Sequence, residues 1–262
     1  MVSLDDLSRS PADAEVEPGP GDETIAAEAS SDAGLDATDA TDAPFSCAAH
    51  ASVQLCDDFD EDGAAFTKWS AISQINGGSV SLVASDDSPP SAAHFHDPSD
   101  AAISPQAYLS KSFVAAATKS ITYQFDVRVE KFPVNDESFS FSPIRTDLVN
   151  NPGAQLFFSI SDVNAVFSEL VDYPDGGSFF VDIPLANRPA VGTWMHVEVD
   201  IAIGPPAMLS IYLDGAPAVA QSTSIDPHVT FGTPAVCAGV TYMAPTGQLA
   251  IVDVDDVIFD FQ

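Results

Sequence analysis

The chain has 262 residues, of which 39 are acidic and 8 basic, for a formal net charge of -31, and 45% of it is hydrophobic, including 17 Phe. A surface so negative repels nucleic acid and anionic lipid, because binding either rests on Lys and Arg contacts to phosphate. No stretch approaches the roughly 20 apolar residues that cross a bilayer, and MVSLDDLSRSPADAEVEPG has neither the basic nor the apolar region of a signal peptide.

Residues 1–46 read as a disordered acidic linker or tail. They are rich in Asp, Glu, Ala, Pro and Ser, contain the low-complexity run DAGLDATDATDA, and carry no aromatic residue before Phe45. Such a segment buries too little apolar surface to offset its ordering entropy, and its like charges keep it extended. A spacer holding a domain away from a surface and an inert leader are both compatible with it.

One domain is expected over 47–262. At its start, Cys47 and Cys56 enclose eight residues, a spacing suited to a short-loop disulfide and hence to an oxidising, extracellular or cell-surface setting. The third cysteine, Cys237, lies in the apolar run TPAVCAGVTY and is expected to be a buried free thiol. A short helical turn is expected near 63–69. Beyond it, short alternating runs recur between Gly, Pro, Asn and Asp clusters, the pattern of antiparallel strands. Strands are expected at 79–84, 92–96, 107–113, 120–131, 138–145, 154–161, 165–171, 179–184, 195–203, 207–213, 235–243 and 249–261. In the fourth, Ile121, Tyr123, Phe125, Val127 and Val129 alternate with Thr122, Gln124, Asp126, Arg128 and Glu130, so one face is core and the other wet. About a dozen strands without βαβ alternation imply an all-β fold, a two-sheet antiparallel sandwich.

Four segments resemble laminin-G-like domains of the concanavalin A-like lectin/glucanase superfamily. Gly192-Thr193-Trp194-Met195-His196-Val197-Glu198-Val199 is similar to their G-x-W-x-H-V strand. Leu209-Ser210-Ile211-Tyr212-Leu213-Asp214-Gly215 is similar to their hairpin, and Gly247-Gln248-Leu249-Ala250-Ile251-Val252-Asp253-Val254-Asp255-Asp256-Val257 to their terminal strand. Leu55-Cys56-Asp57-Asp58-Phe59-Asp60 resembles the opening strand. The resemblance implies a jelly-roll sandwich and a choice among glycan-degrading enzymes, lectins and non-catalytic binding modules, which fold alone does not make. Similar domains occur in bacterial surface lipoproteins with acidic tethers.

The glucanase branch carries E-x-D-x-x-E on one strand. Here Glu198 and Asp200 supply the first two acids, but Ile203 stands where the second Glu belongs, so no catalytic residue is assigned and both acids are read as a solvent face. Lyases of this fold group His, Tyr, Arg and Gln on the concave sheet. Tyr123, Arg128, Gln155 and His196 are of those types, with no motif linking them. His94 and His96 put two imidazoles on one strand face with Asp97 following, but zinc needs three or four ligands.

The resemblance implies a structural Ca²⁺ tying first and last strands to a glycine-bearing loop, with Asp58, Asp60, Gly77, Asp255 and Asp256 as ligands; hard oxygens suit that ion. For sugar, Tyr173 on an apparent loop, flanked by Asp172 and Asp175, is the expected contact, while Trp69 and Trp194 are read as core. The expected function is a monomeric, non-catalytic extracellular or cell-surface module that binds carbohydrate or a protein partner. A glycoside hydrolase or polysaccharide lyase on this fold is the alternative, and a structural surface protein without a ligand the third reading.

Overall fold

The computed structural model describes residues 45–60, 65–86, 89–98, 104–114, 118–134, 137–146, 154–172, 177–203, 207–222, 234–243 and 249–262. The domain is one compact unit, Ala43–Gln262; of the expected tail at 1–46, residues 1–44 fall outside the described residues.

In chain order the strands are β1 (Leu55–Asp57), β2 (Ala71–Ile75), β3 (Ser79–Ala84), β4 (Ser91–Asp97), β5 (Gln106–Ser112), β6 (Ser120–Lys131), β7 (Phe139–Thr146) and β8 (Ala154–Ile160). They continue as β9 (Ala165–Asp172), β10 (Ser178–Pro184), β11 (Trp194–Ala202), β12 (Met208–Leu213), β13 (Ala216–Ser222), β14 (Pro234–Met243) and β15 (Ala250–Phe261). They form two antiparallel sheets. An eight-stranded sheet runs β13-β12-β11-β6-β15-β4-β3, with β1 also paired to β15, and a seven-stranded sheet runs β10-β9-β8-β7-β14-β5-β2. No described helix is long and apolar enough to cross a membrane.

The expected alternation on β6 is realised: Ile121, Tyr123, Phe125, Val127 and Val129 are buried between the sheets. From the other sheet, Phe141, Phe158 and Phe167 meet them, with Phe125 and Phe158 at 6.0 Å and Phe158 and Phe167 at 5.1 Å, edge to face. The Asp214-Gly215 hairpin forms with both residues at positive φ (50° and 72°), the tight turn whose twist matches paired strands.

Two bulges re-aim side chains. On β15, Asp255 faces Asp126 and Ile258 faces Gln124, so three steps match two, and Asp256 takes up the slack at φ 50°. On β14, Val236 faces Ile144 and Val240 faces Phe141; four steps match three, and Gly239 lies there at φ 109°.

Two strands that alternation does not reveal lie at sheet edges. Four of the five residues of β2 are exposed, so it has no buried face to betray it, and β13 carries Pro217, which an edge tolerates. The expected helical turn reduces to a turn closed by Trp69 N donating to the Phe66 carbonyl at 3.1 Å, with 61–64 outside the described residues. The described helical turn is instead a 3-10 turn at Cys47–His50, capped by Ser46. It begins at the Cys47–Cys56 disulfide, which forms as expected with Cα atoms 5.5 Å apart. Cys237 is a free, buried thiol, its pKa pushed up to about 11 by burial.

Candidate functional site

The outer face of the seven-stranded sheet carries a groove of about 330 Å³ lined by Ser140, Pro143, Arg145, Gln155, Phe157, Leu170, Thr241 and Tyr242. Strand pleating builds it. On β8, Ala154, Leu156 and Phe158 point to the core, so Gln155 and Phe157 point outward. Cross-strand register then places Gln155 between Arg145 on β7 and Leu170 on β9. A second register shift on β14, between Val240 and Tyr242, sets Tyr242 opposite Ser140 and leaves the residue 52% exposed.

Arg145 is the charged member of the groove. Its guanidinium lies 5.8 Å from the Tyr108 ring centroid, and its Nε is buried without a hydrogen-bond partner. Two other described cations are neutralised by carboxylates. Lys68 lies 3.5 Å from Asp57 and 3.7 Å from Asp58, and Arg128 meets Asp86, Glu130 and Asp253 at 2.7–2.9 Å. Among the described residues no carboxylate pairs with Arg145. In a chain of net charge -31, that makes it a cation with its counter-charge still to be supplied. The groove thus combines one cation, an amide, three hydroxyls (one of them the Tyr242 phenol) and two aromatic rings, the mixed lining of a small-ligand cleft.

Of the four lyase-type residues, only Gln155 is here. Tyr123 is in the core and donates its hydroxyl to the Cys237 carbonyl at 3.1 Å. Arg128 and His196 stand on the outer face of the eight-stranded sheet. There Arg128 lies 4.8 Å over the Trp194 ring, and Trp194 donates Nε1 to Asp86 at 3.1 Å; Trp194 is therefore a half-buried surface ring rather than core. His196 Nδ1 is 2.7 Å from Asp126 Oδ1, and that bond raises its pKa. His94 likewise bonds Asp253 at 2.6 Å. Asp97 points inward while His94 and His96 point out, so the three do not converge on a metal. Glu198 and Asp200 occupy the outer face of β11, where Asp200 accepts from Thr122 at 2.8 Å. No histidine stands on the seven-stranded sheet among the described residues.

The five expected calcium ligands separate. Asp58 accepts from Cys47 N at 3.3 Å and pairs with Lys68. Asp60 accepts from Ser91 N at 2.9 Å and lies near enough to Asp255 to raise its pKa by charge repulsion. Asp255 is fully buried; burial, then the charge of Asp256, pushes its carboxyl up to about 9, and its Oδ2 has no partner. Gly77 lies elsewhere. It packs toward Pro98, beyond Asp97, which faces Ala250 on β15, five residues or about 16 Å from Asp255. Asp57, read with its neighbours as solvated, is buried: it accepts from the Trp69 indole at 2.6 Å and from Phe59 N at 3.2 Å, and Trp69 stacks on Phe59 within the core. Among the described residues no group of three or more His, Cys, Asp or Glu is arranged to hold a metal.

Tyr173 and Asp175 lie outside the described residues, and of Asp172 only the backbone is described, at the end of β9 opposite Ser178. Arg145 and Tyr242 are hard to single out in the sequence because they sit on strands, where an outward residue looks like any solvent face. The one available signal was Arg145 itself, a rare cation beside apolar Ile144 in an acidic chain.

No family model matches the chain, and no curated protein matches its sequence. Solved structures do match its fold. An endo-β-1,4-glucuronan lyase from the fungus Trichoderma reesei aligns at TM-score 0.64 with 15% identity, covering 80% of this chain and 96% of that one. The alginate lyase Aly36B, bound to alginate trisaccharide, aligns at 0.51 with 11% identity over 79% and 98%. The carbohydrate recognition domain of Emp47p aligns at 0.50 with 11% identity over 79% and 94%. A carbohydrate recognition domain and polysaccharide lyases therefore share this architecture, and the chain has the concanavalin A-like jelly-roll fold.

Proposed function

We propose that the domain is a non-catalytic recognition module that binds an acidic glycan in the groove of the seven-stranded sheet. The observation that carries this reading is Arg145, a cation with a buried, partnerless Nε and, among the described residues, no carboxylate paired with it. A sugar carboxylate would supply the missing charge and accept a charge-assisted hydrogen bond. Gln155 would bond the same group or a neighbouring hydroxyl, and Tyr242 and Phe157 would offer rings to the apolar face of a pyranose. The glucuronan and alginate lyases of this fold act on, or hold, polymers of this charge. The disulfide supports an extracellular or cell-surface setting.

Lyase activity is a second reading, favoured by Arg145, Gln155 and Tyr242 sharing one groove. Elimination next to a carboxylate needs that charge neutralised and a base for the adjacent proton. Arg145 and Gln155 fit the first task; Tyr242, as phenolate, would take the proton next to the carboxylate and return it to the glycosidic oxygen that departs as the double bond forms. A structural Ca²⁺ also stays a proposal, beside Asp60 and Asp255 with backbone carbonyls and water completing its oxygen shell; the partnerless Asp255 Oδ2 would gain a partner.

The test is retention of the full chain on acidic and neutral polysaccharides, with Ca²⁺ and with EDTA, and with unsaturated product sugars assayed. Retention on acidic polymers without product supports the module. Product would replace it by the lyase, and equal retention on neutral polymers would remove the role given to Arg145. Loss of thermal stability in EDTA is the outcome expected of the calcium site.

A further inference from the structure

A second feature lies away from the groove, at the seam between the sheets. Asp97 ends β4 on the side that faces the core, in line with Ala93 and Phe95. It is fully buried, and neither carboxylate oxygen has a hydrogen-bond partner. The seam closes tightly around it. A Cβ on Gly78, in the turn from β2 to β3, would strike the Gln106 carbonyl of β5 and come within 2.9 Å of Asp97 Oδ1. The residue across β15 is Ala250. Among the described residues, none of these elements presents a charge: β15 offers Ala250, the turn Gly78, and β5 a backbone carbonyl. His96 points to the opposite face of β4.

An ionised carboxylate in such a place has lost its hydration and gained nothing in return. A protonated one is neutral and can donate to a carbonyl. We propose that Asp97 is a proton-operated latch between the two sheets: the folded chain holds it as a carboxylic acid, and loss of that proton loosens the turn at Asn76–Gly78 and the start of β5. Burial alone pushes this carboxyl up from 3.8 to about 7, which sets the window. For an acid whose folded pKa is raised, the stabilisation is complete below the unfolded value of 3.8 and is lost as pH rises toward 7. The latch is closed in mild acid and strained above neutrality.

The test compares urea unfolding of the full chain with that of Asp97→Asn between pH 4 and 8. Other acids titrate in both proteins, so the difference between them isolates Asp97. Between those limits the unfolding constant of the unmodified chain should rise on the order of several hundredfold more than that of the variant. Parallel pH profiles would overturn the proposal. If the variant fails to fold, the side-chain carbon of Asp97, followed by NMR in the unmodified chain, decides. A midpoint near 7 supports the latch and a midpoint near or below 4 refutes it. Amide exchange at Gly78, whose N–H donates to the Ile75 carbonyl at 3.1 Å, should show extra opening above neutral pH.

Discussion

Replacing Gly239 with Ala tests the β14 bulge that brings this strand close to Phe95 and β5. A Cβ at this position would stand 2.6 Å from Phe95 Cε1 and 2.5 Å from the Ala107 carbonyl oxygen, where about 3.5–4.0 Å is comfortable between carbons. Neither neighbour yields easily: Phe95 is fully buried, and the oxygen belongs to the backbone of β5, which pairs with β14. The residue also sits at φ 109°, a conformation that costs an L-residue about 1–2 kcal/mol. Overpacking adds about 1–3 kcal/mol, so Gly239→Ala should lose about 2–5 kcal/mol in urea unfolding. Gly215→Ala is the control. That position has φ 72° and nothing within 4 Å, so only the backbone cost of about 1 kcal/mol applies. Equal losses at the two positions, or a loss under about 1 kcal/mol at Gly239, would refute the argument that the close approach of β14 to Phe95 requires glycine.

Arg145→Ala should weaken binding of an acidic oligosaccharide about thirtyfold, the equivalent of one charged hydrogen bond of about 2 kcal/mol. Its urea midpoint should hardly move, since no described carboxylate pairs with the side chain; calorimetry and unfolding check the two halves. Replacing Cys47 and Cys56 by Ser should cost about 3 kcal/mol, the loop-closure entropy of a link spanning nine positions, read by the same unfolding assay. His196 should titrate above 6.5 by NMR, because its Asp126 bond favours the imidazolium, and Asp126→Asn should bring the midpoint down. That pair stabilises the fold below the unfolded His value, and the effect fades as pH rises through the folded one.

Local pattern was enough for most of the architecture. The alternation from Ile121 to Val129 stated which side of β6 is core, because a pleated strand with one wet face must sort its residues by solubility. Asp214-Gly215 announced its hairpin through the backbone conformations it permits, and Cys47 and Cys56 announced their bond through closeness in sequence. Pattern fails where no face is buried, as in β2, and where a residue's neighbours come from far along the chain. Arg145, Gln155 and Tyr242 each read as ordinary outward residues until register set β7 between β8 and β14. Asp97 read as a companion of His94 and His96, yet strand parity turned it inward beneath Gly78 and Gln106. Sequence dictates which residues prefer water; which side chains share a groove or a seam is fixed by strand order, register and bulges, which balance packing over the whole domain.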